Sequence, residues 1–325
     1  MSAFGLGKDA RTMAHIRGFG HHLPDRVVTN VALAAEFGVD PEWIRSVCGI
    51  EERRYAAPGE GVDDLAYRAA LACLEACGTK PADLGGIIVG TGTPSRQFPG
   101  VSAEVQRRLS VAGIPAFDIH LASAGSIFAL AAAVDLCPRY GPILAIGAEN
   151  MTAVMARPPR VKETAILFGD GAGACLVCPG DGPLLVEGVR IGSDATFADD
   201  LCMNFGETLT MNGRTVILQA NRKLQTCIAD LLGRHHVTVA DIGLFLFHQA
   251  NRNLLKQVGQ SLGIEESRVF LNLDRYGNTS SASLLVAASE AHAQGLFTQG
   301  SGVVMAAFGA GMSWGAALLH CKGPS

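Results

Sequence analysis

Four short, wholly apolar runs set the fold class of this chain: Gly86-Ile-Ile-Val-Gly90, Pro142-Ile-Leu-Ala-Ile-Gly147, Gly243-Leu-Phe-Leu-Phe247 and Gly302-Val-Val-Met-Ala-Ala-Phe308. Each has the length of a strand, opens on Gly or Pro, and shows no alternation of polar and apolar residues. A strand of that kind is covered on both faces, so its sheet must lie between layers of helices. The intervening segments supply them. Leu65, Ala69, Ala72, Cys73 and Ala76 recur at helical spacing between Asp64 and Cys77, and Gly78 and Pro81 stop the run. The expectation is an α/β protein.

Composition narrows the function classes. The 325 residues are 48% hydrophobic and 17% charged, enough apolar material for one large core or two fused halves. A net charge of −4 and a pI near 6.1 argue against nucleic acid or an anionic membrane as partner. The start, MSAFGLGKDARTM, is polar and carries no signal-like apolar segment. The longest apolar stretch, Leu121 to Cys137, contains Ser123, Ser126 and Asp135 and is too short and too polar to span a bilayer. Nine scattered cysteines fit free thiols in a reducing cytoplasm.

No resident metal or cofactor is expected. Cys175-Leu-Val-Cys178 sits in a strand-like run, where residues three apart point to opposite faces. His21-His22 and His235-His236 lack Asp or Cys partners at ligand spacing and read as surface-loop residues. Gly90-Thr-Gly92 lacks the third glycine of a nucleotide fingerprint.

An internal echo suggests duplication. Phe168-Gly-Asp-Gly171 and Phe308-Gly-Ala-Gly311 each lead into a small-residue strand, about half a chain apart. Chance similarity is the alternative. The division is placed after the turn Pro179-Gly-Asp-Gly182, giving halves of 1–185 and 186–325.

Three local patterns hold candidate chemistry. In the first, a strand at Phe117 to Ile119 runs into Ser123 and an apolar helix. Such a turn points a hydroxyl into a cleft, and the Ser123 N–H can serve an oxyanion there; a plain N-cap serine is the competing reading. In the second, the apolar strand ending at Phe247 delivers His248 to its C-terminal end, where open α/β sheets bind ligands, though a lone histidine there is often structural. In the third, Tyr276-Gly-Asn278-Thr-Ser280 is a polar turn before the helix Ala282 to Ala291, and Asn278 taken alone is only a turn residue.

Together, these patterns lie within a longer ordered set. Pro24-Asp-Arg-Val-Val-Thr-Asn30, Glu42-Trp43-Ile44, Gly49-Ile-Glu-Glu-Arg-Arg54 and Phe98-Pro99 come first. Phe168-Gly-Asp-Gly-Ala-Gly-Ala174, His248-Gln-Ala-Asn251, Tyr276-Gly-Asn-Thr-Ser280 and Phe308-Gly-Ala-Gly-Met-Ser-Trp-Gly315 follow. In these motifs nearly the whole chain resembles β-ketoacyl-acyl-carrier-protein synthase III, of the thiolase superfamily. The resemblance implies a thiolase-like five-layered αβαβα fold from two duplicated halves, and a homodimer with Phe98 reaching into the partner's acyl tunnel. It implies acyl-CoA as substrate and acyl carrier protein as partner. The catalytic set it implies is Ser123, His248 and Asn278, with Ser123 and Ala310 N–H groups at the oxyanion. Trp43, Arg45, Lys162, Phe98, Arg214, Asn251 and Arg252 are implied at the substrate entrance.

The departure is Ser123, which stands where the resemblance implies a cysteine. A hydroxyl is not ionised near neutral pH, so it needs a base, and His248 is the expected one. Asn278 cannot supply the charge of a Ser-His-Asp triad. Further departures are Val47 in place of an arginine, Lys162 in place of another, and Ala310 in place of a glycine. Three functions stay open: a priming condensing enzyme, an acyltransferase to a carrier thiol or a hydroxyl, and a non-catalytic partner subunit. Arg252 and Lys256 share one helix face and suggest a basic carrier-protein dock, which Arg214, Arg222 and Lys223 could extend; an ordinary solvated helix face is the competing reading.

Overall fold

The computed structural model describes residues 13–322; the polar start of the chain, and the expectation about it, lie outside them. Ten strands form the main sheet: β1 (Ala14–His22), β2 (Gly86–Gly90), β3 (Ala116–Ile119), β4 (Ile143–Glu149), β5 (Gly171–Pro179), β6 (Leu184–Ser193), β7 (Ile242–Phe247), β8 (Val269–Phe270), β9 (Gly302–Gly309) and β10 (Ser313–Cys321). Across the sheet they run β3-β2-β4-β5-β1-β6-β10-β9-β7-β8. Each strand of the first five therefore has a counterpart five places later in the chain. The pairing senses repeat as well. β1–β5 and β5–β4 are antiparallel while β4–β2 and β2–β3 are parallel. In the second unit β6–β10 and β10–β9 are antiparallel while β9–β7 and β7–β8 are parallel. The units join where Ala14 to Ile16 of β1 pair with Val186 to Leu184 of β6.

Six helices supply the layers: α1 (Val62–Ala76), α2 (Val101–Arg108), α3 (Gly125–Tyr140), α4 (Gly213–Arg234), α5 (Arg252–Ser261) and α6 (Ser283–Ala293). α1 and α2 pack on the outer face of the first unit, and α4 and α5 on that of the second. Between the units lie α3 and α6, whose small residues let a helix be covered on all sides; every residue from Ser283 to Ser289 is buried. The result is the five-layered αβαβα arrangement. Cys175 faces the central layer and Cys178 the outer one, as strand alternation requires. Among the described residues no group of ligating side chains fits a metal, and no helix is long and apolar enough to cross a membrane.

One expectation is corrected. His21 and His22 are not in a loop but close strand β1, and His21 Nδ1 lies 2.8 Å from Ser289 Oγ of α6. The central strand simply runs past its apolar stretch, because the helix behind it offers a hydroxyl partner. His235 and His236 do lie in a turn.

Arg53 braces the ground under the third motif. Its side chain is fully buried, and no carboxylate pairs with it among the described residues. Instead its guanidinium donates to Val28 O (3.3 Å), Asn30 Oδ1 (2.8 Å) and Ile166 O (2.6 Å). Its Cβ packs beside Gly169 and Gly277, on either side of the Phe168–Asn278 bridge. Arg53→Ala strands three acceptors and opens a cavity, so it should cost about 3–5 kcal/mol. A thermal midpoint unchanged from the native protein would contradict this.

Candidate active site

Ser123 lies two residues before α3, with φ +63°, in the left-handed region that non-glycine residues rarely adopt. Close backbone packing holds the turn. A Cβ on Gly90 of β2 would sit 2.3 Å from the Gly125 carbonyl, and one on Gly309 of β9 would sit 2.1 Å from Ala122 O. Only glycine at these two positions lets both sheet units press against the start of α3. Ser123 is thereby fixed at the C-terminal end of the parallel strands.

His248 follows β7, and its N–H donates to Ala306 O of β9 at 2.9 Å. Its Nδ1 lies 2.6 Å from Ser283 Oγ at the start of α6. Burial drives its pKa down to about 4, partly opposed by a hydrogen bond to the Ser280 backbone. The ring is therefore neutral through the physiological range, and Nε2 is the nitrogen left for the cavity.

Asn278 comes from the turn before α6. Its backbone N–H donates to Leu167 O (2.9 Å), and its carbonyl accepts from Gly169 N (3.1 Å). Its Oδ1 accepts from Ser280 N at 2.8 Å. A backbone N–H can only donate, which fixes the amide's orientation and leaves Nδ2 as the free donor.

Ser123, His248 and Asn278 line one narrow cavity of about 110 Å³, walled by apolar residues such as Phe168, Leu201, Phe247 and Phe308. A neighbouring space of about 60 Å³ touches Ser123, Ser280, Cys202 and Ala310. Such an arrangement suits a small, mostly apolar group that ends at a polar reacting centre. The cavity thus gathers a hydroxyl, an amide donor and an imidazole, groups that can in principle attack a carbonyl and stabilise an oxyanion.

Two further expectations change here. The Ser123 N–H is not free to receive an oxyanion, because it donates to Ser280 Oγ at 2.9 Å. Nor does a hydrogen bond join His248 to Ser123; the nearest hydroxyl partner of Ser123 Oγ is Ser280 Oγ, at 3.4 Å. The left-handed backbone at Ser123 turns both its N–H and its hydroxyl toward the Asn278 turn.

The entrance residues do not line the cavity, apart from Asn251. That side chain caps α5, accepting from Asn253 N (2.8 Å) and Leu254 N (3.3 Å) while donating to Val47 O (2.9 Å). These bonds dock the short helix Pro41–Cys48, which carries Trp43 and Arg45, against α5. Lys162 Nζ stands over the Trp43 ring at 5.3 Å. Arg45 pairs with Glu51 at 3.1 Å, and both are more than half exposed. Arg214 is exposed in the first turn of α4, and Phe98 is 82% exposed. Of the basic residues, Arg252 and Lys256 are exposed on α5, but Lys256 pairs with Glu266 at 3.0 Å. Arg222 and Lys223 do not extend that patch; they line a separate groove beside Trp314 and Arg190, where Lys223 pairs with Asp194 at 2.6 Å.

Sequence reasoning missed Glu149, which ends β4 fully buried. It accepts from Thr93 Oγ1 (2.7 Å), Gly92 N (3.0 Å) and Ser280 Oγ (3.0 Å). The signal was an acidic residue closing an otherwise apolar parallel strand, at the end where sites form.

The fold has relatives among known proteins. Residues 117–195 match the family described as 3-oxoacyl-[acyl-carrier-protein] synthase III, and residues 232–321 match its C-terminal counterpart. The chain is 34% identical to the β-ketoacyl-[acyl-carrier-protein] synthase III of Caldanaerobacter subterraneus, over 94% of this chain and 97% of that one. It is 37% identical to that of Cereibacter sphaeroides, over 94% and 98%. Among solved structures, the Aquifex aeolicus 3-oxoacyl-[acyl-carrier-protein] synthase III superposes with a TM-score of 0.90 at 33% identity, covering 94% of this chain and 99% of that one. A priming β-ketosynthase from a polyketide biosynthetic pathway also gives 0.90, at 30% identity, covering 97% and 98%. With family models matching 117–195 and 232–321, a matched fold and relatives of 34–37% identity over 94% of its length, the chain belongs to the β-ketoacyl-[acyl-carrier-protein] synthase III family of the thiolase superfamily.

Proposed function

We propose that the protein takes an acyl group from acyl-CoA onto Ser123 and condenses it with malonyl-carrier protein, priming a fatty-acid or polyketide pathway. The observation that carries this is the convergence of Ser123, His248 and the free Asn278 Nδ2 on one apolar cavity. Cys178 lies in the outer core of β5 and lines neither cavity, so it offers no rival nucleophile. An oxygen ester is a less activated carbonyl than a thioester, so loading is favoured and onward transfer to carbon is slower. In the neutral tautomer whose Nδ1 accepts from the Ser283 hydroxyl, His248 Nε2 carries the ring proton, and it and Asn278 Nδ2 are the donors for the enolate that forms when malonyl-carrier protein loses carbon dioxide. Trp43, Lys162 and Arg252 stand outside the cavity, where a nucleotide moiety and a phosphopantetheine arm would pass. No resident cofactor is needed.

Reconstitution tests the reading. Acyl-CoA and malonyl-carrier protein should give one β-ketoacyl-carrier product per carbon dioxide released. Acyl-carrier protein formed without carbon dioxide would favour simple transfer instead, and no turnover with any acyl-CoA would leave a partner-subunit role. The same preparation should be a homodimer in solution scattering, since Phe98 and Phe205 are 82% and 79% exposed in the single chain. A monomer would contradict that part.

A further inference from the structure

We infer that Ser280 and Glu149 form a proton relay that activates Ser123, in the order Ser123 Oγ–H to Ser280 Oγ–H to Glu149. The inference rests on Ser123 being the nucleophile. It supplies the base that His248, lacking a hydrogen bond to Ser123, does not.

The direction follows from counting hydrogens. Ser280 Oγ has one proton and two lone pairs. It donates to Glu149 Oε1 at 3.0 Å and accepts from Ser123 N at 2.9 Å. One lone pair remains, and Ser123 Oγ lies 3.4 Å away. Ser280 thus receives the Ser123 proton. Like Ser123, Ser280 holds a left-handed backbone conformation, with φ +48°. Two residues in this rarely adopted conformation place their hydroxyls face to face.

Glu149 has the properties of the terminal acceptor. Besides Ser280, the groups contacting its carboxyl are Thr91 Oγ1, Gly92 N, Thr93 Oγ1 and Ser281 N, all acting as donors. The hydroxyl of Thr93 accepts from Asn150 N, and that of Thr91 from Thr93 N, which leaves their protons for the carboxylate. No cation pairs with Glu149 among the described residues. Burial raises its pKa, against the hydrogen bonds that lower it. A carboxylate held by dipoles alone, out of water, has more appetite for a proton than one beside an arginine.

In the step, Ser123 Oγ attacks the thioester carbonyl while its proton passes to Ser280 and the Ser280 proton passes to Glu149. The carbon–sulfur bond then breaks. Glu149 returns a proton through Ser280 to the departing CoA thiolate, leaving acyl-Ser123, CoA-SH and the starting carboxylate. Ser280 touches the reacting oxygen; Glu149 acts through it.

A stapling role for Glu149, tying the ends of β2 and β4 to the Asn278 turn, is the competing account, and the two differ in what a thiol nucleophile would do. A cysteine supplies its own thiolate and needs no relay. The test is single-turnover acyl loading, by intact mass, in the native enzyme and in the Ser280→Ala, Ser123→Cys and doubly substituted variants, each with acetyl-, propionyl- and butyryl-CoA. Ser280→Ala should slow loading of Ser123 by about 100-fold or more. In the Ser123→Cys background the same change should cost less than about fivefold. Loading by the native enzyme should also fall as the pH drops through the raised carboxyl pKa, and Glu149→Gln should load slowly with no such limb. Equal losses in the serine and cysteine backgrounds, or native-rate loading by Ser280→Ala, would overturn the relay while leaving Ser123 as nucleophile. Absence of any adduct on the native enzyme would instead overturn the nucleophile reading, and the relay with it. Should Glu149→Gln fail to fold, the Ser280 comparison still decides.

Discussion

Ser123→Ala should abolish acyl loading and lower condensation by about 10³-fold or more. No thiol stands ready to replace it on the larger cavity wall, and the thiols of Cys178 and Cys137 are buried in the core. Their reactivity is further depressed: burial pushes the Cys178 thiol upward and the Cys137 thiol up to about 11. Ser123→Cys should move the other way, loading faster and condensing faster, because the thiolate is the better nucleophile and the thioester the better acyl donor. Acyl transfer and condensation assays on the two variants check this pair. A Ser123→Ala enzyme retaining a tenth of native activity would refute it.

The second large effect divides labour between His248 and Asn278. His248→Ala should cost malonyl decarboxylation about 100-fold or more, because it removes one of two donors from a desolvated oxyanion site. With the base assigned to the relay, acyl loading should fall far less. Asn278→Ala should act similarly on decarboxylation, since Nδ2 is its free donor. It should also disturb loading, because Asn278 Oδ1 holds Ser280 N and hence the relay turn. The pH profile is part of this expectation. His248 is already neutral above about pH 4, so decarboxylation should be flat from pH 8 to pH 5 as far as this group is concerned. A limb near 6.5 that vanished in His248→Ala would show an imidazole titrating normally and contradict the burial argument.

Much of this was readable from the chain. The all-apolar runs at Gly86–Gly90 and Gly302–Phe308 became β2 and β9 because nothing but a doubly covered strand can hold them. The Phe-Gly-x-Gly echo marks the turns before β5 and β10, which hold equivalent places in the two units. The place of Ser123 between a strand and an apolar helix was readable, but a plain N-cap serine fits that place as well, and only the ordered motif set around it pointed further. What escaped were contacts between distant residues. Glu149 and Ser280 are 131 positions apart, and nothing local says that a strand-end carboxylate meets a hydroxyl from another unit. The direction of the Ser123 N–H depended on its left-handed φ, which sequence does not announce for a serine. Asn251 was read as an entrance residue although its position just before a helix already fits an N-cap. Arg222 and Lys223 share α4 with Arg214, but more than two turns of helix carry them to another groove.

A covalent acyl group on Ser123 is read out by intact-protein mass after incubation with a panel of acyl-CoAs, followed by peptide mapping. One added acyl group per chain is expected, carried by the peptide containing Ser123 and lost in Ser123→Ala. No adduct with any acyl-CoA, or an adduct mapping to Cys202 on the wall of the smaller space, would contradict it.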